Sequence, residues 1–88
     1  MAEGKEIKIG EVEHYFGKLS VAAIKLTDGD LKVGDVIHIK GHTTELTQRV
    51  DSIQIEHNKV DEAKVGADIG IKVNEHVREK DTVYKVIQ

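Results

Sequence analysis

The stretch Leu31-Lys32-Val33-Gly34-Asp35-Val36-Ile37-His38-Ile39-Lys40-Gly41 restricts the fold more than any other part of the chain. Gly34 supplies backbone angles that other residues avoid, and Asp35 can bond the turn it sits in. The run that follows is rich in Val and Ile, which suits a strand, and Gly41 closes it. Similar punctuation recurs along the sequence. Short apolar runs between turn signals predict a small β-rich binding module.

Size and charge narrow the range of functions. Eighty-eight residues make one domain with a modest core and little room for a deep pocket. Residues 1–6 are expected to form a tail and residues 7–88 the domain. Thirteen basic residues against 16 acidic ones give a net charge of −3. That balance argues against a strong, sequence-blind grip on nucleic acid, though it permits a local basic face. The aromatics are Tyr15, Phe16 and Tyr84 alone, a sparse platform for stacking bases. The absence of Cys excludes disulfides, zinc ribbons and thiol chemistry. With no long apolar run and a charged start, neither a membrane span nor a signal peptide is expected, and the cytoplasm is the expected location.

Taken in order, Ile7 and Ile9 alternate with polar neighbours, and Val12 breaks the phase, so Gly10 marks a bulge or a close backbone approach. His14-Tyr15-Phe16-Gly17-Lys18 reads as a loop around Gly17. Leu19 to Leu26 is nearly continuous apolar, as in a strand buried on both faces. Thr27-Asp28-Gly29-Asp30 is a turn. Between Glu45 and Glu56, helical spacing of Leu46, Val50 and Ile53 competes with alternation. A long strand bent near Asp51-Ser52 reconciles the two, and sharply curved strands suit a small barrel. His57-Asn58-Lys59 is a turn. Val60 to Asp68 could form one helical turn with Val60, Ala63 and Ala67 facing inward, and is read as a packed connection ended by Gly66. Ile69 to Val73 and Thr82 to Ile87 are strands. The expected fold is therefore all-β, a single closed or nearly closed six-stranded barrel.

The ordered set Leu31-x-Val33-Gly34-Asp35-x-Ile37-x-Ile39-x-Gly41, Val50-x-Ser52-Ile53, Val60-x-x-Ala63-x-x-Gly66 and Ile69-x-Ile71-x-Val73 resembles domain 2 of translational GTPases, the β-barrel module of elongation factor Tu and initiation factor two. Gly10-x-Val12 and Val77-Arg78-x-x-Asp81-x-Val83 also fit, so the resemblance covers about residues 7 to 87. It is nearest to a stand-alone group of translation-elongation-factor-like proteins, and a similar barrel ends some U32-type peptidases. Two departures stand out. No Gly-x-x-x-x-Gly-Lys-Ser/Thr loop is present, so no GTP site is expected. Lys80 stands where the family often has Gly before the final Asp. The resemblance implies the barrel fold and a connection with the translation apparatus or RNA.

Candidate chemistry is thin. Val33-Gly34-Asp35 is better explained as a structural turn than as a phosphate nest, since a single Gly makes a poor cradle. His38 and His42 cross a strand end, and Asp28, Asp30 and Asp35 lack calcium-loop spacing, so no metal or other cofactor is expected. Ser20 and Ser52 are the only serines and neither has a visible base, so no enzymatic activity is expected. The site expected to bind is the aromatic-basic stretch His14, Tyr15, Phe16 and Lys18, with His42 and Arg49 as further candidates. The alternative for this stretch is that Phe16 plugs one end of the barrel and Tyr15 is incidental. The expected role is a non-catalytic module that contacts RNA or a ribosome-associated partner. The alternative is a protein-interaction barrel accessory to a separately encoded peptidase-like enzyme.

Overall fold

The structure, a computed structural model, describes residues 5–87. Ten strands follow in chain order: β1 (Lys5–Phe16), β2 (Val21–Leu26), β3 (Leu31–Lys32), β4 (Val36–Lys40), β5 (Glu45–Arg49), β6 (Ile53–Ile55), β7 (Asn58–Val60), β8 (Glu62–Ala63), β9 (Asp68–Lys72) and β10 (Thr82–Ile87). Eight of them form one antiparallel sheet in the order β5-β4-β10-β1-β2-β9-β6-β7, and β3 pairs with β8 in a separate ribbon. The all-β expectation holds, and no helix is present among the described residues. The six-stranded count does not hold, because four strands are only two or three residues long. Lys5 and Glu6 of the expected tail lie in β1, paired with Ile87 and Val86, while residues 1–4 fall outside the described residues.

The long strand β1 joins the two halves of the sheet. It pairs with β10 up to Glu11 and with β2 from Gly10 onward. Its register slips between Lys8 and Gly10 on one side and between Val12 and His14 on the other. Gly10 is needed there, because a Cβ at that position would run into the Lys25 carbonyl oxygen. The bulge expected from the broken Ile9–Val12 phase is thus present.

The sheet curls but does not close. Its ends, β5 and β7, share no ladder. Yet β5 and β6 are separated by only Val50, Asp51 and Ser52, so the chain itself brings the two ends of the sheet together. A side chain bridges the seam: Gln48 donates to the Lys72 carbonyl at 3.0 Å and accepts from the Asn74 amide at 2.8 Å. These two bonds imitate one rung of a ladder between β5 and the end of β9. They satisfy backbone groups that an open edge would otherwise leave to water.

Val36 to Lys40 alternates as expected, with Ile37 and Ile39 fully buried. The preceding turn is built as its composition suggests. The Asp35 amide returns to the Lys32 carbonyl, Gly34 adopts φ 100°, and the Asp35 carboxylate accepts the Lys32 amide at 2.9 Å. Ile9, Ile24, Leu31, Ile37, Ile39, Ile53 and Val83 lie in one aliphatic core. Burial of each such side chain contributes about 1.5–3 kcal/mol.

The segment Val60 to Asp68 makes no helical turn. Ala63 pairs with Leu31, the Val33 amide donates to the Asp61 carbonyl, and the Val65 amide donates to the Asp30 carboxylate. Long-range partners have taken the backbone groups that a helix would use. Ala63 is buried and Val60 and Ala67 pack on the core, so the inward set is as expected. The run to Leu26 is also corrected. In β2, Ala22, Ile24 and Leu26 are buried while Val21 and Ala23 are only partly so, and Leu19 lies in the preceding turn. One face of β2 meets the core, and the other forms the floor of a groove.

Candidate functional site

The outward side chains of β2, β9 and β6 are small or apolar where they line up. Phe16, Val21 and Lys72 form one row across the strands; Ala23, Gly70 and Gln54 form the next. Because Gly70 has no side chain and Ala23 only a methyl, the second row is a depression. Two turns wall it: Phe16 and Leu19 on one side, 45% and 63% exposed, and Glu56 with His57 on the other. The main hollow measures about 340 Å³. It continues over Leu19, Val21 and Gly70 into a second hollow of about 250 Å³ that ends at Ser52 and Lys72.

Both walls hold unusual backbone. Ser20, Glu56 and His57 have φ of 56°, 51° and 69°. Glu56 and His57 form the two-residue turn of the β6–β7 hairpin, a position that favours Asn or Gly. Positive φ at side chains without that tolerance costs on the order of 1 kcal/mol each, and such strain concentrates at working surfaces.

Charge is unequal along the groove. At one end Asp68 lies 3.5 Å from Lys25, and Glu13 and Glu56 add two more carboxylates. Partial burial, then the hydrogen bond to Asp68 and its repulsion, holds the Glu13 carboxyl above its ordinary value against the pull of Lys25. At the other end Lys72 makes no ion pair among the described residues.

The residues expected to bind are divided by this geometry. The stretch expected to be a loop continues β1 as far as Phe16. Phe16 is a wall of the groove, and its ring meets His14 edge-on at 4.5 Å. His14 Nδ1 lies 3.1 Å from Glu79. Tyr15 faces the other way, packs against the core and has its ring 4.5 Å from that of His76. So Tyr15, not Phe16, does the inner packing. Lys18 is exposed in the turn between the two wall residues. His42 lies in the turn before β5, Arg49 is the last residue of β5, and neither lines these two hollows. Sequence reasoning missed Leu19, Val21, Ala23 and Gly70. For the first three the signal was an apolar run too long for a strand with one buried face; Gly70 gave none.

No group of three or more His, Asp or Glu side chains is placed to hold a metal ion among the described residues. Asp30 and Asp35 bond backbone amides of their own surroundings. His38 has Glu6 at 3.0 Å and Glu45 at 3.2 Å, on opposite edges of its ring, so the two carboxylates do not converge.

A small antiparallel all-β domain with an open groove on its outer face is the class that this architecture defines. Residues 20–83 match the model of elongation factor Tu domain 2, and the chain belongs to that family. It is 47% identical over 81 residues to an uncharacterized protease of Methanocaldococcus jannaschii, covering 91% of this chain and 20% of that protein. It is 38% identical over 85 residues to a collagenase of Porphyromonas gingivalis, covering 96% of this chain and 20% of that protein. The chain thus spans about a fifth of the length of these curated relatives. Among solved structures it resembles the C-terminal domain of a Geobacillus thermoleovorans U32 peptidase, with a TM-score of 0.81 at 21% identity over 88% of this chain and 89% of that one. It also resembles GDP-bound aIF5B from Aeropyrum pernix, with a TM-score of 0.66 at 18% identity over 93% of this chain and 15% of that one. At these identities the two structures establish the fold.

Proposed function

We propose that this chain is a non-catalytic, protein-binding domain accessory to an enzyme body of the U32 peptidase type, and that the groove is its contact surface. The observation that carries the reading is the apolar depression over Ala23 and Gly70, walled by the exposed Phe16 and Leu19. An exposed apolar hollow with a polar rim is what a protein interface requires. The kinship with a terminal domain of a U32 peptidase, and with a fifth of two proteases, supplies the kind of partner. A contact with RNA or the ribosome, and a place among stand-alone translation-factor-like proteins, draw support from the family fold and from aIF5B. The groove gives them less: Glu13, Glu56 and Asp68 gather at one end of it, and carboxylates repel phosphates.

The test is co-elution. A U32-type relative with its own terminal domain removed is mixed with this chain and run by size exclusion, alongside transfer RNA and ribosomal RNA fragments at low and moderate salt. A complex with the enzyme body that a Gly70→Val change abolishes supports the reading. Saturable, salt-dependent RNA binding with no protein complex overturns it.

A further inference from the structure

We propose that the groove receives an extended polypeptide segment whose alternate side chains are basic, bulky apolar and acidic, laid along β9 so that they meet Asp68, Gly70 and Lys72 in turn. This rests on the protein-binding reading above and goes on to specify the bound segment.

The spacing comes from the strand itself. Asp68, Gly70 and Lys72 share the outer face of β9, two residues apart. At about 3.3 Å per residue, the outer pair are about 13 Å apart, with Gly70 midway. An extended peptide has the same period, so side chains two apart on it fall into register with those three positions. Its central side chain would sit over Gly70 and Ala23 and against Phe16 and Leu19, where an apolar group replaces water on several sides.

Charge complementarity sets the outer two positions. The Asp68 end gathers three carboxylates, and one of them, Glu13, is close enough to Asp68 for the two to repel. Lys25 is the ion-pair partner of Asp68 there, which leaves negative charge over. A basic side chain would relieve it. Lys72 at the other end has no acidic partner among the described residues, and an acidic side chain would supply one. Because β9 lies inside the sheet, between β2 and β6, its backbone is already paired and imposes no chain direction on the guest. The two charges would do so instead.

Nine-residue fluorescent peptides test this. The central five are Lys-Thr-Phe-Thr-Glu, its doubly basic and doubly acidic counterparts, and a version with Ala for Phe. Anisotropy should give the mixed-charge peptide a Kd at least about tenfold below the other three. Lys72→Glu should make the doubly basic peptide the tightest, and Asp68→Lys, which neutralises the acidic end, should remove the advantage of the mixed-charge peptide over the doubly acidic one. Gly70→Val should abolish binding of all four. The added Cβ would lie an ordinary 3.4 Å from Val21, and an unchanged circular dichroism spectrum and urea midpoint would show that the fold survives the whole side chain.

Equal affinities, or a ranking that ignores both charge reversals, overturn the inference. Transfer RNA binding, or self-association in sedimentation, that Gly70→Val abolishes would assign the groove to nucleic acid or to a second copy instead. If the complex with the enzyme body forms while the peptides show no ranking, this inference fails and the accessory reading stands. Loss of that complex sinks the accessory reading itself.

Discussion

The outer surface of the sheet has two halves that treat their side chains differently. Over β1, β10, β4 and β5 a side chain links three of the strands. The half-buried His38 ring reaches Glu6 from β1 and Glu45 from β5, and lies 6.1 Å from the Tyr84 ring of β10. Over β2, β9 and β6 the middle outward positions are Val21, Ala23 and Gly70, which make no polar link between strands, and the Lys25–Asp68 pair lies at one end of them. The first half is a solvated face with polar contacts between its strands. The second leaves an apolar floor open and borders it with strained turns. A sheet that needed only solubility would have no reason to differ in this way. On the proposed reading, the first half serves stability and the second serves binding.

Gly10 is the joint between them, opposite Val83 on one side and Leu26 on the other. Gly10→Val should therefore have the largest effect, about 3 kcal/mol or more, because the new side chain meets backbone rather than a movable group. Urea unfolding checks it, and a loss below about 1 kcal/mol would mean that the halves meet less tightly than the structure has them. A paired substitution sharpens the contrast. His38→Ala should lower stability by about 1 kcal/mol and leave peptide affinity unchanged. Leu19→Ser should weaken peptide binding about tenfold and alter stability by less than about 0.5 kcal/mol. Crossed effects would erase the division.

The same contrast explains what the sequence disclosed. The clasped half and the core follow from alternation: Ile37 and Ile39 in, His38 out, with Gly34 and Gly41 at the ends. The strand count escaped because β3, β6, β7 and β8 are too short to show a period. Closure escaped because the seam depends on Gln48, whose reach to Lys72 and Asn74 is a matter of tertiary distance. The aromatic stretch was visible but the direction of its side chains was not. The slip between Val12 and His14 decides that Tyr15 turns to the core and Phe16 to solvent, and counting by twos cannot place a bulge to the residue. The groove was visible in part. Leu19, Val21 and Ala23 announced a second apolar face, and two-sided burial was the wrong reason for it. Lys80 is the converse case. It adopts φ 73°, the backbone that Gly provides in the family pattern, so the departure seen in the sequence appears as local strain.

The smallest effect expected links folding and binding through a single proton. The Glu13 carboxyl sits above its ordinary 4.5 through partial burial, then its hydrogen bond to Asp68 and the repulsion between them. The native state therefore holds that proton more tightly than the unfolded chain does. Well below 4.5 both states are protonated and the cost is absent; as pH rises through the window above 4.5, stability falls and then levels off. Glu13 is exposed overall, so screening keeps the loss under about 0.5 kcal/mol. Glu13→Gln should recover that amount near neutral pH and nothing at pH values where the carboxyl is protonated, as urea midpoints across the acid range would show. Binding should carry the opposite sign. A basic side chain docked at Asp68 favours the ionised Glu13, so the mixed-charge peptide should bind more tightly as pH rises through the same window, and Glu13→Gln should flatten that rise. A peptide affinity that ignores the window in the native chain would mean that no cation approaches this end of the groove, and with it the distinction between the two faces would lose its electrostatic half.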